Sequence, residues 1–105
     1  MNNLNSILLE GTIQDNPTAL EGEACFRLVS TRYYNAQNES GEMVKKSRDT
    51  VMDVLVYRKE ADKVKRLEKG GMVRVVGRIE QDYIAGLDYG KGPVHIVAEH
   101  IEVKR

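Results

Sequence analysis

Apolar and polar residues alternate along most of this chain, and glycines interrupt the alternation. The sharpest stretch begins in segment 67–78, Leu-Glu-Lys-Gly-Gly-Met-Val-Arg-Val-Val-Gly-Arg. Val73, Val75, Gly77 and Ile79 fall on one face of a strand there, with Met72, Arg74, Val76 and Arg78 on the other. Gly70 can adopt the left-handed conformation that closes a helix, and Gly71 lets the backbone turn straight into the strand. Gly77, set among branched residues, predicts a bulge or tight bend of the kind that curls a sheet into a barrel.

The same pattern, taken from the start, predicts a strand over 5–13. There Ile7, Leu9, Gly11 and Ile13 alternate with Leu8 and Thr12, so both faces are apolar. Asp15, Asn16 and Pro17 make a turn, and a loop runs on through Gly22. A second strand, 24–34, sets Phe26, Leu28 and Ser30 against Cys25, Arg27, Val29 and Thr31. Residues 35–48 form a polar hairpin arm that turns at Ser40-Gly41 and returns with Lys45, Lys46 and Arg48. The third strand, 50–57, opposes Met52, Val54 and Val56 to Val51, Asp53, Leu55 and Tyr57. A helix over 59–69 follows, with Ala61, Val64 and Leu67 as its narrow apolar stripe.

After the strand over 72–79, residues 80–93 make a second excursion containing Tyr83 and Tyr89. The last strand, 94–103, shifts phase between Ala98 and Ile101, as a bulge would require. Three strands, a helix and two strands is the order of a five-stranded Greek-key OB barrel, whose open face and loops bind oligonucleotides or oligosaccharides. The expected class is therefore all-β with one short helix and long hairpin arms, in a single domain spanning 1–105.

Charge narrows the options. Sixteen Lys plus Arg balance sixteen Asp plus Glu, so affinity for a polyanion has to come from local clustering. Cys25 is the only cysteine, which excludes an internal disulfide or a Cys-rich zinc site and predicts a small buried hydrophobe. A reducing cytoplasm is the expected setting, and the apolar run 7–9 is far too short for a signal or membrane segment.

Five of the six aromatic residues are tyrosines, and Tyr33, Tyr34, Tyr57 and Tyr83 stand at strand ends or loop roots. A base stacked on such a ring contributes about 1–3 kcal/mol. Any one ring is as well explained as a core cap with a wet hydroxyl. The set, interleaved with Arg32, Lys45, Lys46, Arg48, Arg58 and Lys59, favours stacking. Lys63, Lys65 and Arg66 on the helix read as a solvated face paired with Glu60, Asp62 and Glu68. A hydrolase or nuclease is disfavoured: His95, His100, Asp49, Asp53, Asp82 and Asp88 follow no metal-ligand pattern. Gly70-Gly71 ends a helix and so is no phosphate loop. Neither cofactor nor metal is expected.

In these features the chain resembles the bacterial single-stranded DNA-binding protein (SSB) family. Asn5-Ser6-Ile7-Leu8-Leu9-Glu10-Gly11, with Asp15 after it, is similar to the family's opening strand, and Ser40-Gly41-Glu42-Met43 to the tip of its hairpin arm. Residues 53–61 and 67–77 are similar to its strand, helix and strand core. The resemblance spans nearly the whole chain. It implies non-enzymatic, largely sequence-independent binding of single-stranded DNA in replication, recombination and repair, by a homotetramer associated with the nucleoid. It also implies stacking roles for Tyr34, Tyr57 and Tyr83, with Ile84 competing for the last, and phosphate contacts from Lys59 and Lys69. Joined to the residues' own reading, the candidate site comprises Arg32, Tyr33, Tyr34, Lys45, Lys46, Arg48, Tyr57, Lys59, Lys69 and Tyr83.

Departures from the family pattern carry expectations too. Val51 stands where a stacking tryptophan is usual and Asp53 where a cation is common, which implies weaker binding. The sequence ends at Arg105 without the acidic tip through which family members recruit replication and repair proteins. Outward-facing Leu8, Met72 and Val76 give a motive for association, as a tetramer or a dimer. A tailless dimeric adaptor resembling primosomal replication protein B, bridging replication-restart proteins and single strands, is the second reading.

Overall fold

The computed structural model describes residues 2–64, 66–83, 85–86 and 91–104. Its elements are β1 (Ile7–Ile13), β2 (Thr18–Leu20), β3 (Glu23–Gln37), β4 (Met43–Tyr57), α1 (Lys59–Val64), β5 (Met72–Tyr83) and β6 (Lys91–Lys104). Inward-facing residues of every long strand and two from the helix meet in one core: Ile13, Phe26, Leu28, Val54, Val56, Ala61, Val64, Val73, Val75, Ile96 and Ile101 are all buried. Within the barrel the alternation read from the sequence is largely the alternation between core and surface; Ile79, Val94 and Val103, which the same pattern groups with core residues, are exposed, and Val97 is buried.

Strand order is β1-β5-β6-β4-β3-β2, and β1 closes the ring by pairing with β3 through Thr12 and Ile13. Five strands make the barrel, and the fold is the expected OB barrel. All pairs are antiparallel except β4 with β6. Closure depends on two glycines. A Cβ on Gly11 would strike the carbonyl oxygen of Val29, and one on Gly77 would strike that of Val97, so neither position tolerates a side chain where strands approach so closely. Opposite Gly77 the register steps from Val76↔His100 to Gly77↔Ala98. Glu99 is therefore the extra residue of the predicted bulge, and it restores Ile101 to the core.

Three expectations need correction. Thr18–Leu20, read as loop, is a short strand on the start of β3, joined to it through Gly22 at φ +74°. Cys25 is half-buried on the outer face, where burial pushes its thiol pKa up. The helix ends at Val64, not at 69. Beyond it, the N–H of Lys69 donates to Asn16 Oδ1 at 2.9 Å and that of Gly70 to the Ile13 carbonyl at 2.8 Å. The end of β1 and the turn after it thus take donors that a longer helix would have used internally.

The first excursion is the expected hairpin arm, and the second is a strand ladder as far as Tyr83 and Lys91. β3 and β4 pair without a slip from Glu23↔Tyr57 to Gln37↔Met43, so the arm is a continuation of the barrel wall. Its tip is tied by Asn38, whose Oδ1 accepts the N–H groups of Ser40 and Glu42, with Gly41 at φ +82°. β5 and β6 form the second, shorter arm. Where the wall begins, Asn5 binds Ile79 as another strand residue would: its Oδ1 accepts the Ile79 N–H at 3.0 Å and its Nδ2 donates to the Ile79 carbonyl at 2.7 Å.

Candidate nucleic-acid interface

Because the β3–β4 register runs unbroken, residue parity decides which face each side chain takes. Ser30, Arg32, Tyr34 and Ala36 on β3 share the core-side face with their partners Thr50, Arg48, Lys46 and Val44. Thr31, Tyr33, Asn35 and Gln37 share the outer face with Asp49, Ser47, Lys45 and Met43. The core-side face of the arm thus holds three cations and no carboxylate. On the outer face Lys45 balances Asp49, which accepts a hydrogen bond from the Thr31 hydroxyl at 2.7 Å. A chain with no net charge has sorted its arm charges by face.

Arg32, Tyr34 and Arg48 line one open cleft of about 220 Å³. The Arg32 guanidinium lies 5.6 Å from the centre of the Tyr34 ring. On the other side, Lys45 Nζ lies 4.8 Å from the centre of the Tyr33 ring, and Tyr33 borders a different cleft with Glu10, Gly11, Thr31 and Met72. Both contacts have cation–π geometry. The structure therefore separates residues that the sequence placed side by side.

Tyr57 stands on the outer face at the far end of β4, 45% exposed. It borders one shallow cleft with Glu23, Cys25 and Leu55, and another with Gly22, Arg58, Arg78 and Glu99. Lys59 is exposed at the start of α1, just beyond Tyr57. Lys69 is exposed beside the end of β1, held there through its backbone bond to Asn16. Tyr83 ends β5, 79% exposed and paired in register with Lys91. Its competitor Ile84, with Lys65, Asp88 and Tyr89, lies outside the described residues. Val51 and Asp53 share the outer face of β4, where Arg27 donates to Asp53 at 3.3 Å and the two charges cancel.

Arg78 had not been singled out beside Tyr57. It sits on β5, opposite Val97 of β6, and Val97 is in turn opposite Leu55 of β4. Only the pairing of three strands brings Arg78 to that cleft. Its guanidinium is held by Glu80 at 2.6 Å and Glu99 at 3.6 Å. Arg58 has φ +58°, the one left-handed residue other than glycine among those described. Its N–H donates to the Gly22 carbonyl and its carbonyl accepts from Ala61. Among the described residues no three His, Cys, Asp or Glu side chains are grouped to hold a metal ion.

The arrangement is an OB barrel with ring and cation pairs on its arm and wall. Its structural neighbours are single-stranded DNA-binding proteins. The SSB of Plasmodium falciparum, solved in complex with single-stranded DNA, matches with a TM-score of 0.76 at 23% identity, over 100% of this chain and 98% of that one. A small single-stranded DNA-binding protein from Streptomyces coelicolor matches with a TM-score of 0.69 at 20% identity, over 99% and 95%. A deletion mutant of the Thermus aquaticus protein matches with a TM-score of 0.69 at 25% identity. That match covers 97% of this chain but 51% of the Thermus chain, so this chain spans about half its length. No protein-family model matches the sequence, and no curated protein does. The chain has the fold of the SSB family.

Proposed function

We propose that this protein binds single-stranded DNA without catalysis and with little regard to sequence, by stacking bases on tyrosines and engaging phosphates with Lys and Arg. The observation that carries this reading is the core-side face of the β3–β4 arm, where Arg32, Lys46 and Arg48 flank Tyr34 without a carboxylate. Such a surface offers a single strand a flat ring for its base and cations for its backbone. A duplex hides its base faces and can use only the cations. The neighbours named above support the reading, and an adaptor of the primosomal type is not favoured. Its place is in replication, recombination and repair, in the cytoplasm.

One barrel offers a short track, so the proposal includes assembly of several barrels into a homotetramer. Leu8 lies opposite Val76 on the outer face of β1 and β5, and Leu8 and Met72 are exposed. Burying these side chains between copies is favourable by the ordinary apolar term. Sedimentation at micromolar concentration checks this; a monomer overturns it.

Fluorescence quenching with poly(dT) against a duplex of equal length tests the binding mechanism. Preference for the single strand is expected, with log affinity falling against log salt by roughly 0.7 per phosphate neutralised. Equal affinity for the two forms would sink the stacking mechanism.

A further inference from the structure

Arg32 and Arg48 stand directly opposite each other across the β3–β4 ladder. Directly opposed residues have Cα atoms only about 4.5–5.5 Å apart, and like charges so placed weaken the pairing. The described arginines on the barrel portions of the strands are treated differently. Arg27 is paired with Asp53, Arg74 with Glu10, and Arg78 with Glu80. Neither Arg32 nor Arg48 has an ion pair or side-chain hydrogen bond with another described residue. Lys46, opposite Tyr34, adds a third positive charge to the same face. A guanidinium cannot relieve such repulsion by losing a proton. Both side chains are exposed, so water and salt screen them in part, and an anion placed between them would turn the remaining repulsion into attraction.

From this opposition we propose that Arg32 and Arg48 clamp a single phosphate group. The ligand class is a 5′-phosphorylated nucleotide unit, free or as a link in a single strand. The inference rests on the single-strand reading above and assigns one of its subsites. Guanidinium forks match phosphate oxygens in pairs of hydrogen bonds, which a lysine ammonium cannot do. Tyr34 lines the same cleft, so the base joined to the held phosphate can lie on its ring. Arg32 serves both parts of the ligand, since its guanidinium already lies near that ring. The outer face lacks this arrangement: Lys45 is alone among its arm residues in carrying positive charge, and Asp49 balances it. In the free protein the clamp is a weak point of the ladder, and the anion strengthens it.

The experiment is a titration of the isotope-labelled protein with thymidine 5′-monophosphate, inorganic phosphate and unphosphorylated thymidine, at constant ionic strength, followed by arm amide shifts in NMR spectra. Saturable shifts at residues 31–35 and 46–49 are expected with the two phosphates and not with thymidine. Arg48→Gln should weaken the monophosphate at least tenfold, Arg48→Lys should fall between it and the parent, and Arg27→Gln should leave binding unchanged. Thymidine acting as well as its monophosphate, or Arg48→Gln binding like the parent, overturns the clamp. A short oligo(dT) that competes for the same amides places a strand phosphate in the clamp; failure to compete leaves it a site for free phosphate only and overturns its assignment to the strand track. Poly(dT) binding by the parent is measured alongside. If the parent holds poly(dT) without a phosphate-specific response, the clamp fails and the strand reading stands. If it ignores poly(dT), the strand reading fails, and the monophosphate response still decides the clamp.

Discussion

Tyr33 and Tyr34 adjoin in sequence and lie on opposite faces of the arm, each beside its own cation. The two rings are therefore not one stacking surface. Tyr34→Ala is expected to weaken single-strand binding by about 1–3 kcal/mol with little change in salt slope, since it removes a ring and no charge. Tyr33→Ala, on the balanced face, should cost less than about 1 kcal/mol. Titrations with oligo(dT) at several salt concentrations check both, after circular dichroism confirms folding. Equal losses would show that a strand uses both faces.

The paired lysines divide in the same way. Lys46 shares the face of Arg32 and Arg48, whereas Lys45 stands over Tyr33. Lys46→Ala should lower the salt slope by about 0.7, the value of one single-strand phosphate contact, while Lys45→Ala should leave it nearly unchanged. The check is the slope of log affinity against log salt for each variant.

Arg58 holds a left-handed backbone conformation that costs an ordinary L-residue roughly 1–2 kcal/mol. Glycine avoids that strain but loses more chain entropy on folding, by roughly 0.5–1 kcal/mol. Arg58→Gly should accordingly stabilise the barrel by up to about 1.5 kcal/mol in urea unfolding, while weakening strand binding beside Tyr57. A variant that gains stability and binds like the parent would remove Arg58 from the interface.

Acid should destabilise the protein partly through Glu60. Burial alone would raise its carboxyl pKa, but the Ile101 N–H and Lys63 outweigh that and hold it below its ordinary value of 4.5. A depressed folded-state value means the contribution is present above the unfolded value and disappears as pH falls through the folded one. Unfolding free energies of the parent should therefore fall more steeply below about pH 5 than those of Glu60→Gln. Parallel curves would deny Glu60 this role.

What could be read from the sequence was what depends on a residue and its near neighbours. Val73, Val75 and Gly77 announced an inward face because strand parity is local, and the phase shift before Ile101 announced the bulge. Partners were out of reach. Nothing within residues 59–69 says that Ile13 and Asn16 will claim the donors that end the helix, and Arg78 reaches Tyr57 only through β6. Even the split between Tyr33 and Tyr34, implied by parity, lacked meaning until the register put Lys46 and Arg48 on the side of Tyr34. Thr18–Leu20 escaped notice because three residues are too few to show a period.

The arm has a consequence for how the molecule comes apart. Between Val29 and Asp53 no described residue is fully buried, and the radius of gyration, 16.7 Å, exceeds the roughly 13 Å of a compact chain this long. The ladder beyond the barrel thus rests on its own hydrogen bonds and cross-strand pairs, so it can fray while the barrel stays intact. Amide hydrogens at Arg32 and Arg48 should exchange with solvent by local opening, on a far shorter clock than those at Val54 and Val75. On the proposed reading, ligand capture by the arm and global folding are governed by separate equilibria, and a warmed sample is expected to lose its grip before it loses its fold.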